Sequence, residues 1–226
     1  MYIQISKRFL WSILAFILLL SCVFALPVAL ASTPSNLYTI VVDAGHGGID
    51  GGTVGVNTGA DENYLNLQYA LILQQIFEDY NIKVVMTRTN LNGLYSALSD
   101  NKKLDDMEKR KEIIDNSNAN LVISIHMNSF PLTSCKGAQV FFSNNNEPSQ
   151  KLATSIQEIF IHTLPNARQE ALVGDYYLLN NFDIPSVIVE CGYLSNPEEE
   201  LLLIKKEYMQ LVCYSIFIGV LKFLAV

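Results

Sequence analysis

Residues 39–48 of this chain, TIVVDAGHGG, contain a short apolar run that ends in a glycine-rich turn. The run over 39–42 is typical of a short buried strand. The glycines of the turn, which continues to Gly52, allow the backbone to bend sharply and to approach a ligand closely. The turn lacks the Gly-Lys-Ser/Thr of a phosphate-binding loop and the Gly-x-Gly-x-x-Gly of a dinucleotide site. The stretch therefore predicts a strand followed by a loop that presents His46.

Apolar strand-like runs alternate with helical patterns along the rest of the chain. Further strands are predicted at 82–86, 121–125, 138–142 and 186–189, and helices at 62–80, 104–116, 149–164, from Pro197 onward, and at 208–224. This alternation predicts an α/β fold, a single three-layer domain with a mainly parallel, mixed sheet flanked by helices. Residues 208–224 are apolar but short and interrupted by Lys222, which favours a core helix over a membrane span. No repeat or second domain is visible.

The N-terminus has the pattern of a targeting segment. Two basic residues precede an apolar stretch over 9–31 that ends in Ala-Leu-Ala, a small-x-small cleavage pattern. A run of about 20 apolar residues also suffices to span a bilayer if it is not cleaved. We therefore expect 1–31 to be a signal peptide or membrane anchor of an exported protein, 32–37 to be a linker, and 38–226 to be the folded domain. A lipoprotein signal ending before Cys22 and a buried helix are disfavoured alternatives, because the apolar run continues past the cysteine and lacks polar spacing.

Composition narrows the classes of partner. Half of the 226 residues are apolar, which is enough for one hydrophobic core. The net charge is −7, and without the two basic residues of segment 1–31 it becomes about −9. Such an acidic domain is a poor candidate for binding nucleic acid or wall polyanions by charge alone. Of the four cysteines, three lie outside the targeting segment, and without a Cys-x-x-Cys pair they predict neither a disulfide framework nor a thiolate zinc site.

Two of the three histidines follow apolar runs. His46 comes after the first predicted strand and His126 after the run over 121–125. Residues just past the carboxyl ends of parallel strands line the ligand crevice of such sheets, so the two imidazoles could converge on one metal ion. Two unrelated loop histidines are the alternative. His162 lies within a predicted helix and is expected to be a surface or partly packed residue.

Two glutamates are candidates to complete such a site. A catalytic zinc ion usually has three protein ligands and an open position for water, and Glu62 could supply a carboxylate. An acidic residue in the first helical turn also stabilises the helix dipole, so spacing alone does not separate the two interpretations. Glu190 ends the run over 187–189, where it could exchange a proton with the attacking water and the leaving amine, or else form an ion pair. Cys191 should face the opposite side of the strand, in the core.

Four motifs then occur in a familiar order. Residues 42–48 (VDAGHGG), Glu62, residues 124–128 (SIHMN) and residues 189–196 (VECGYLSN) resemble the zinc-dependent N-acetylmuramoyl-L-alanine amidases of the amidase 3 type. The resemblance runs from about Tyr38 to the C-terminus. Within the family the chain is similar to the germination-specific amidases of endospore formers, on its apolar N-terminus, its lack of wall-binding repeats and stretches such as 137–142 (GAQVFF).

The resemblance implies roles for particular residues. His46, Glu62 and His126 match the family's ligands for one Zn²⁺ ion, and Glu190 matches its catalytic glutamate. Asp43 and Asn128 match positions expected to orient the ligands. Arg88 and Arg110 also fall in familiar places and are expected to form structural salt bridges. Ala44 and Cys191 stand where many relatives have proline and valine, and neither change removes a ligand.

The resemblance also implies a reaction and a location. It implies hydrolysis of the amide between the lactyl group of muramic acid and the L-alanine of the peptidoglycan stem peptide, in the spore cortex before formation of the muramic δ-lactam. The protein would act at the wall or in the intermembrane space of the forespore, and a lipoprotein activator is an expected partner. Another zinc hydrolase of the wall (a carboxypeptidase or deacetylase) and a non-catalytic wall-binding or regulatory relative stay open as alternatives.

Overall fold

The computed structural model describes residues 38–225, so the predicted targeting segment 1–31 and linker 32–37 lie outside the described residues. The six strands are β1 (Thr39–Ala44), β2 (Lys83–Met86), β3 (Leu121–Asn128), β4 (Gln139–Phe142), β5 (Leu172–Val173) and β6 (Ser186–Tyr193). The helices are α1 (Glu62–Asp79), α2 (Lys102–Asp115), α3 (Glu147–Thr163), α4 (Tyr177–Asn180), α5 (Pro197–Leu203) and α6 (Lys206–Leu224).

The strands form one sheet in the order β2-β1-β3-β6-β4-β5. Neighbouring strands are parallel except for β4 and β6, which are antiparallel. The prediction of an α/β fold with a mixed, mostly parallel sheet is therefore confirmed. Because β1, β3 and β6 run side by side in the same direction, their carboxyl ends meet at one edge, and the residues predicted to carry chemistry lie at that edge.

The two faces of the sheet are covered unequally. Helices α1, α3 and α6 pack on one face around a large core that includes Val42, Ile123 and Val189. The other face carries α2 and α4 on a cluster of four buried residues, Val41, Ile114, Val122 and Leu178. Since side chains alternate along a strand, the positions two or four residues after those of the small cluster also face α2 and α4. These positions include Asp43 on β1 and His126 on β3.

Helix α6 is long and apolar enough to pass a length and composition test for a membrane span. Half of its most apolar window is buried within the domain, and the helix packs on α1 and α3. Val212, Cys213 and Ile216 on its inner face are fully buried. These contacts agree with the prediction of a core helix.

Two strands extend further than predicted. The sequence places His126 and Glu190 just after their strands, whereas both lie within β3 and β6 and are paired with each other in register. Pairing between the two strands continues past the apolar runs until an irregularity between His126 and Asn128. Both residues therefore lie in the carboxyl-terminal half of their strands rather than at the strand ends where they were predicted.

Candidate active site

His46 is the first site residue beyond β1, and its backbone has a φ of 61°, which non-glycine residues seldom adopt. Two buried guanidinium groups hold the carbonyl oxygens of this turn. Arg110 donates from Nη2 to the oxygen of His46 at 2.5 Å, and Arg88 donates from Nη2 to that of Gly45 at 2.8 Å. Both also donate to the oxygen of Ala44 at 2.8 Å. The turn is therefore fixed by side chains distant in sequence.

The two arginines differ in their partners. Arg110 forms ion pairs with Asp43 at 2.5 Å and Asp106 at 2.7 Å. The prediction that Arg110 forms structural salt bridges is therefore confirmed. Arg88 donates instead to backbone carbonyl groups, with the oxygens of Asn63 and Asn90 adding to those of the His46 turn. Burial, together with the positive charge of Arg110, lowers the pKa of Arg88 to about 10. The salt-bridge prediction is wrong for Arg88, because four carbonyl groups occupy its donors.

Glu62, the first residue of α1, is buried and lies between the two histidines. Its Oε1 is 3.1 Å from Nε2 of His46 and 3.2 Å from Nδ1 of His126. Its Oε2 accepts a hydrogen bond from the backbone N–H of Thr53 at 2.8 Å. Burial alone would raise the pKa of Glu62, but hydrogen bonds with His126 and His46 hold it well below its usual range. The carboxylate is therefore charged and directed at both imidazoles.

The three side chains together form a candidate metal site. One ligand atom from each of His46, Glu62 and His126 lies within 4.8 Å of the others. The imidazole rings of the histidines meet edge to face, with centroids 4.9 Å apart. Two imidazole nitrogens and one carboxylate oxygen form a set that zinc accepts in catalytic sites, so the donors fit the metal.

Glycines allow this close assembly. A Cβ at Gly45 would lie 2.2 Å from the ring of His126, and a Cβ at Gly52 would lie 2.4 Å from Oε2 of Glu62. Gly52 also has a φ of +70°. Any side chain at either position would push a candidate ligand away, so the glycine-rich turn is shaped to the cluster.

Glu190 faces the same side of the sheet as His126, its register partner on the neighbouring strand. The residue is only 8% exposed, and among residues 38–225 its Oε2 has no hydrogen-bond partner. Burial raises the pKa of Glu190 to about 7. A carboxyl group that gains and loses a proton near neutral pH has the property required of a general acid and base.

The other two predicted site residues touch none of the three candidate ligand side chains. Asp43 accepts hydrogen bonds from Arg110, Ser124 and Thr87 at 2.5–2.6 Å. Its hydrogen-bonded link to His46 runs through Arg110, which donates to both residues. The side chain of Asn128 accepts from the N–H of Ser129 at 2.8 Å, close to its own backbone. Neither makes a direct contact that would orient an imidazole.

Asp50 was not among the predicted site residues, although its Oδ1 lies 3.0 Å from Nδ1 of His46. A carboxylate at the far nitrogen of a ligating histidine commonly fixes the ring orientation. The contact depends on the turn of the glycine loop, which the residue types alone do not specify. The predictions for Cys191 and His162 agree with the structure: the thiol is buried in the large core, with its pKa raised by burial, and His162 is exposed on α3.

A cleft of about 380 Å³ opens beside the two histidines. It passes between the beginning of α2 and the region of α4, on the face with the smaller core. Its walls include three tyrosines and two lysines, namely Tyr95, Tyr176, Tyr177, Lys102 and Lys103. The sequence drew attention to none of these five residues. The cleft offers room for an extended peptide beside the candidate metal site.

Comparison with known proteins is consistent with this geometry. A family model described as N-acetylmuramoyl-L-alanine amidase matches residues 40–222. The germination-specific N-acetylmuramoyl-L-alanine amidase of Bacillus subtilis is 34% identical over 196 residues, which cover 85% of this chain and 82% of the relative. The CwlD amidase of Clostridioides difficile, solved in complex with the GerS lipoprotein, superposes with a TM-score of 0.80 and 36% identity over 83% of this chain and 98% of that one. The catalytic domain of CwlV, an N-acetylmuramoyl-L-alanine amidase from Bacillus (Paenibacillus) polymyxa, has a TM-score of 0.74 and 27% identity over 84% of this chain and 99% of that one.

Proposed function

The chain belongs to the N-acetylmuramoyl-L-alanine amidase family, and from that membership we propose that His46, Glu62 and His126 bind one zinc ion and that Glu190 is the catalytic acid and base. The enzyme is a hydrolase of the amide that joins the glycan to its stem peptide. The observation that carries the residue assignment is the convergence of the three donors beside a buried carboxyl group that lacks a hydrogen-bond partner.

The proposed mechanism follows from the positions of these groups. A bound zinc ion polarises a carbonyl group and makes water more acidic. Glu190, held on β6 beside His126, accepts the proton of the attacking water and then delivers it to the nitrogen of L-alanine as the amide breaks. Its pKa near 7 supports both transfers. The Oδ1 of Asp50 lies 3.0 Å from the far nitrogen of His46, and the arginines fix the turn that carries His46.

The direct test identifies the products. Purified wall treated with the protein should release intact stem peptides with a free L-alanine N-terminus, as detected by mass spectrometry. Release of D-alanine would indicate a carboxypeptidase and release of acetate a deacetylase, and either result alone would contradict the amidase assignment. No product at all from the zinc-loaded protein would favour the non-catalytic wall-binding or regulatory alternative.

Metal content tests the ligand set. His46→Ala should lower the zinc bound per chain and abolish release of stem peptide, whereas Glu190→Ala should keep zinc and lose the same activity. His162→Ala, on the exposed face of α3, is the matched control for a histidine substitution. Unchanged zinc in His46→Ala would remove His46 from the ligand set, and near-normal turnover in Glu190→Ala would remove Glu190 from the mechanism.

We further propose that the enzyme acts outside the cytoplasm in spore-cortex synthesis, removing stem peptides before the muramic δ-lactam forms. Support comes from the similarity to the germination-specific amidase of Bacillus subtilis. Residues 1–31 would be a signal peptide or membrane anchor that places the domain at the wall or between the forespore membranes. Spores of a deletion strain should contain little muramic δ-lactam in their muropeptides, and a wild-type δ-lactam content would contradict this role.

A lipoprotein is proposed as an activating partner, because the similar amidase of Clostridioides difficile was solved in complex with one. The isolated domain would then bind zinc weakly and digest wall slowly, and a cognate lipoprotein would increase both. Metal analysis and wall digestion with and without the partner measure these effects. Full zinc occupancy and full activity of the isolated domain would show that no partner is required.

A further inference from the structure

Helix α2 begins with two lysines in an electrostatically unfavourable place. Lys102 and Lys103 occupy its first turn, after the N-cap Asn101. The N-terminus of a helix carries a partial positive charge, so cations there lower helix stability and acidic residues are preferred. Asn101 already caps the helix by accepting from the N–H of Leu104 at 3.1 Å. The stability of α2 therefore gives no reason for the two lysines.

The lysines also differ from the other cations of α2. Arg110, Lys109 and Lys111 each lie within 2.7 Å of a carboxylate oxygen. Lys103 has only Asp50, at 3.9 Å, and Lys102 has no carboxylate within salt-bridge distance in residues 38–225. The Nζ of Lys102 lies instead 5.9 Å from the ring centroid of Tyr95. Both ammonium groups are thus free to bind an anion.

Both lysines line the cleft that contains His46 and His126. The carboxylates of that cleft have partners already. Asp43 and Asp106 bond to Arg110, and Asp50 lies against His46 and accepts from the N–H of Gly52 at 3.2 Å. Among the charged side chains that line the cleft, the two ammonium groups are therefore the ones without a close partner of opposite charge, in a protein whose net charge is −7. An anionic group of a ligand in the cleft can therefore pair with them directly.

The wall that carries the lysines is fixed to the candidate metal site. The hydroxyl of Tyr95 accepts a hydrogen bond from the N–H of Ile49 at 3.0 Å, and the N–H of Leu94 donates to Asp106 at 2.5 Å. The segment before α2 is thus joined both to the His46 turn and to α2 itself. A ligand group between the lysines would lie at a set position relative to the metal.

We propose that Lys102 and Lys103 form a subsite that binds a carboxylate branching from the amide chain of the stem peptide and so selects stem peptides whose carboxylates are free rather than amidated. This inference rests on the proposed amidase function. In a stem peptide, a second residue linked through its γ-carboxyl leaves its α-carboxylate free, and a diamino acid at the third position carries another. Each becomes a neutral amide in walls that are amidated, which removes the charge that the lysines would bind.

The test compares matched substrates. Muramyl tripeptides whose C-terminal carboxyl is blocked as the methylamide are prepared with both remaining carboxylates free, with only the second residue amidated, or with only the third residue amidated. The double variant Lys102→Met/Lys103→Met keeps the aliphatic stems and removes both charges. Two partly exposed ion pairs are each expected to contribute about a factor of three, so KM for the free substrate should rise about tenfold with little change in kcat. The control Lys109→Met/Lys111→Met removes two charges from the same helix outside the cleft.

The amidated substrates identify which carboxylate is bound. The wild-type enzyme should show a raised KM for the one substrate that lacks the recognised carboxylate, and the double variant should no longer distinguish that substrate from the free one. Equal KM values for all three substrates in the wild type, or an equal loss on all three in the variant, would overturn the subsite. The amidase assignment would stand in both cases, because L-alanine peptides would still be released.

A binding measurement keeps the subsite testable if no peptide is released. Fluorescence anisotropy with a labelled muramyl tripeptide should give a Kd that rises about tenfold in the double variant and with amidation. The Kd in the wild type should also rise with salt concentration, as expected for an exposed ion pair. Affinity that depends on neither the lysines nor amidation would refute the subsite, whatever the catalytic activity.

Discussion

Glu190 is the residue at which catalysis and stability are expected to oppose each other. Burial raises its pKa from 4.5 to about 7, so between these values the unfolded chain releases a proton that the metal-free folded protein keeps. The carboxyl group therefore destabilises the fold increasingly as pH rises through that window. We expect metal-free Glu190→Gln to be more stable than the wild type by up to about 3 kcal/mol at pH 7.5, and no more stable at pH 4.

Urea unfolding of chelator-treated protein at the two pH values measures this effect, with the exposed Glu108→Gln on α2 as the control. A stability gain of the same size at both pH values would mean that ionisation of Glu190 is not its cause. A lower stability of Glu190→Gln at pH 7.5 would contradict the raised pKa.

Arg88 is expected to fix His46 through the geometry of its guanidinium group rather than through its charge. Its nitrogens donate to four carbonyl groups, two of which, those of Ala44 and Gly45, belong to the His46 turn, and a lysine ammonium group cannot reproduce that planar fork. Arg88→Lys should therefore weaken zinc binding about 10- to 100-fold, the range found when groups that support metal ligands are removed. Competition with a chromogenic chelator measures the affinity, and Lys83→Arg on β2 is a control at an exposed site. Normal zinc affinity in Arg88→Lys would show that charge alone suffices.

At the residue scale, a site residue could be predicted where the residues next to it in the sequence mark its position. His46 and His126 could be identified because apolar runs directly precede them, and the end of a strand is visible in sequence. Asp50 could not, because its contact with His46 requires the left-handed backbone at His46 itself. Arg88 was misassigned for a similar reason: its partners are carbonyl groups, which every residue has and no sequence pattern marks.

At the scale of elements, α5 holds the loop that leads into α1. Glu200 on α5 is fully buried, and its carboxylate accepts from the N–H groups of Asn57 and Thr58 at 2.5 and 2.8 Å and from the hydroxyl of Thr58 at 2.7 Å. A Cβ at Gly55 would lie 2.1 Å from this carboxylate, so the loop fits closely around it. The loop ends at Glu62, so the contacts of Glu200 connect α5 to the candidate metal site.

Glu200→Ala should therefore lower the free energy of unfolding by about 1–2 kcal/mol, because it removes three hydrogen bonds between the carboxylate and a partly exposed loop. It should also weaken zinc binding, since the loop no longer holds the start of α1. Thermal unfolding and chelator competition measure the two effects. Glu198→Ala, two residues earlier and 83% exposed at its side chain, should change stability by less than about 0.5 kcal/mol. Equal effects of the two substitutions would contradict the assigned role of Glu200.

The long elements were predictable and the short ones were not. Each predicted strand and long helix is present, because periodic apolar residues mark elements that bury one face. The two residues of β5 are both exposed, and α4 has only four residues, so neither carries a periodic pattern. Both are stabilised by contacts with neighbouring elements: β5 pairs with β4, and α4 packs on β6 and α2. The missed elements include one wall of the cleft.

For the whole molecule, removal of zinc should reveal how far the metal supports the fold. Without the ion, the charged Glu62 still bonds with two imidazoles, so the site retains some cohesion. A ligand that binds only the folded state at 1,000 times its Kd adds about 4 kcal/mol. We expect a chelator to lower the Tm of the wild type by about 10 °C and to leave the protein folded. Calorimetry with and without chelator measures the shift, and His46→Ala should show almost none. Complete unfolding on chelation would show that the large core is insufficient by itself.

The unequal cores on the two faces of the sheet have a consequence for how the molecule opens. The strands and the helices α1, α3 and α6 share one extensive buried cluster, whereas α2 and α4 share a cluster of four buried residues with the sheet. Amide hydrogens in α2 and α4 should thus exchange with solvent through partial openings well before those of β1 or β3. Such openings would separate the two sides of the cleft and leave the imidazole-bearing strands intact. A peptide or glycan strand too bulky for the closed cleft could enter during these excursions, without any hinge between domains.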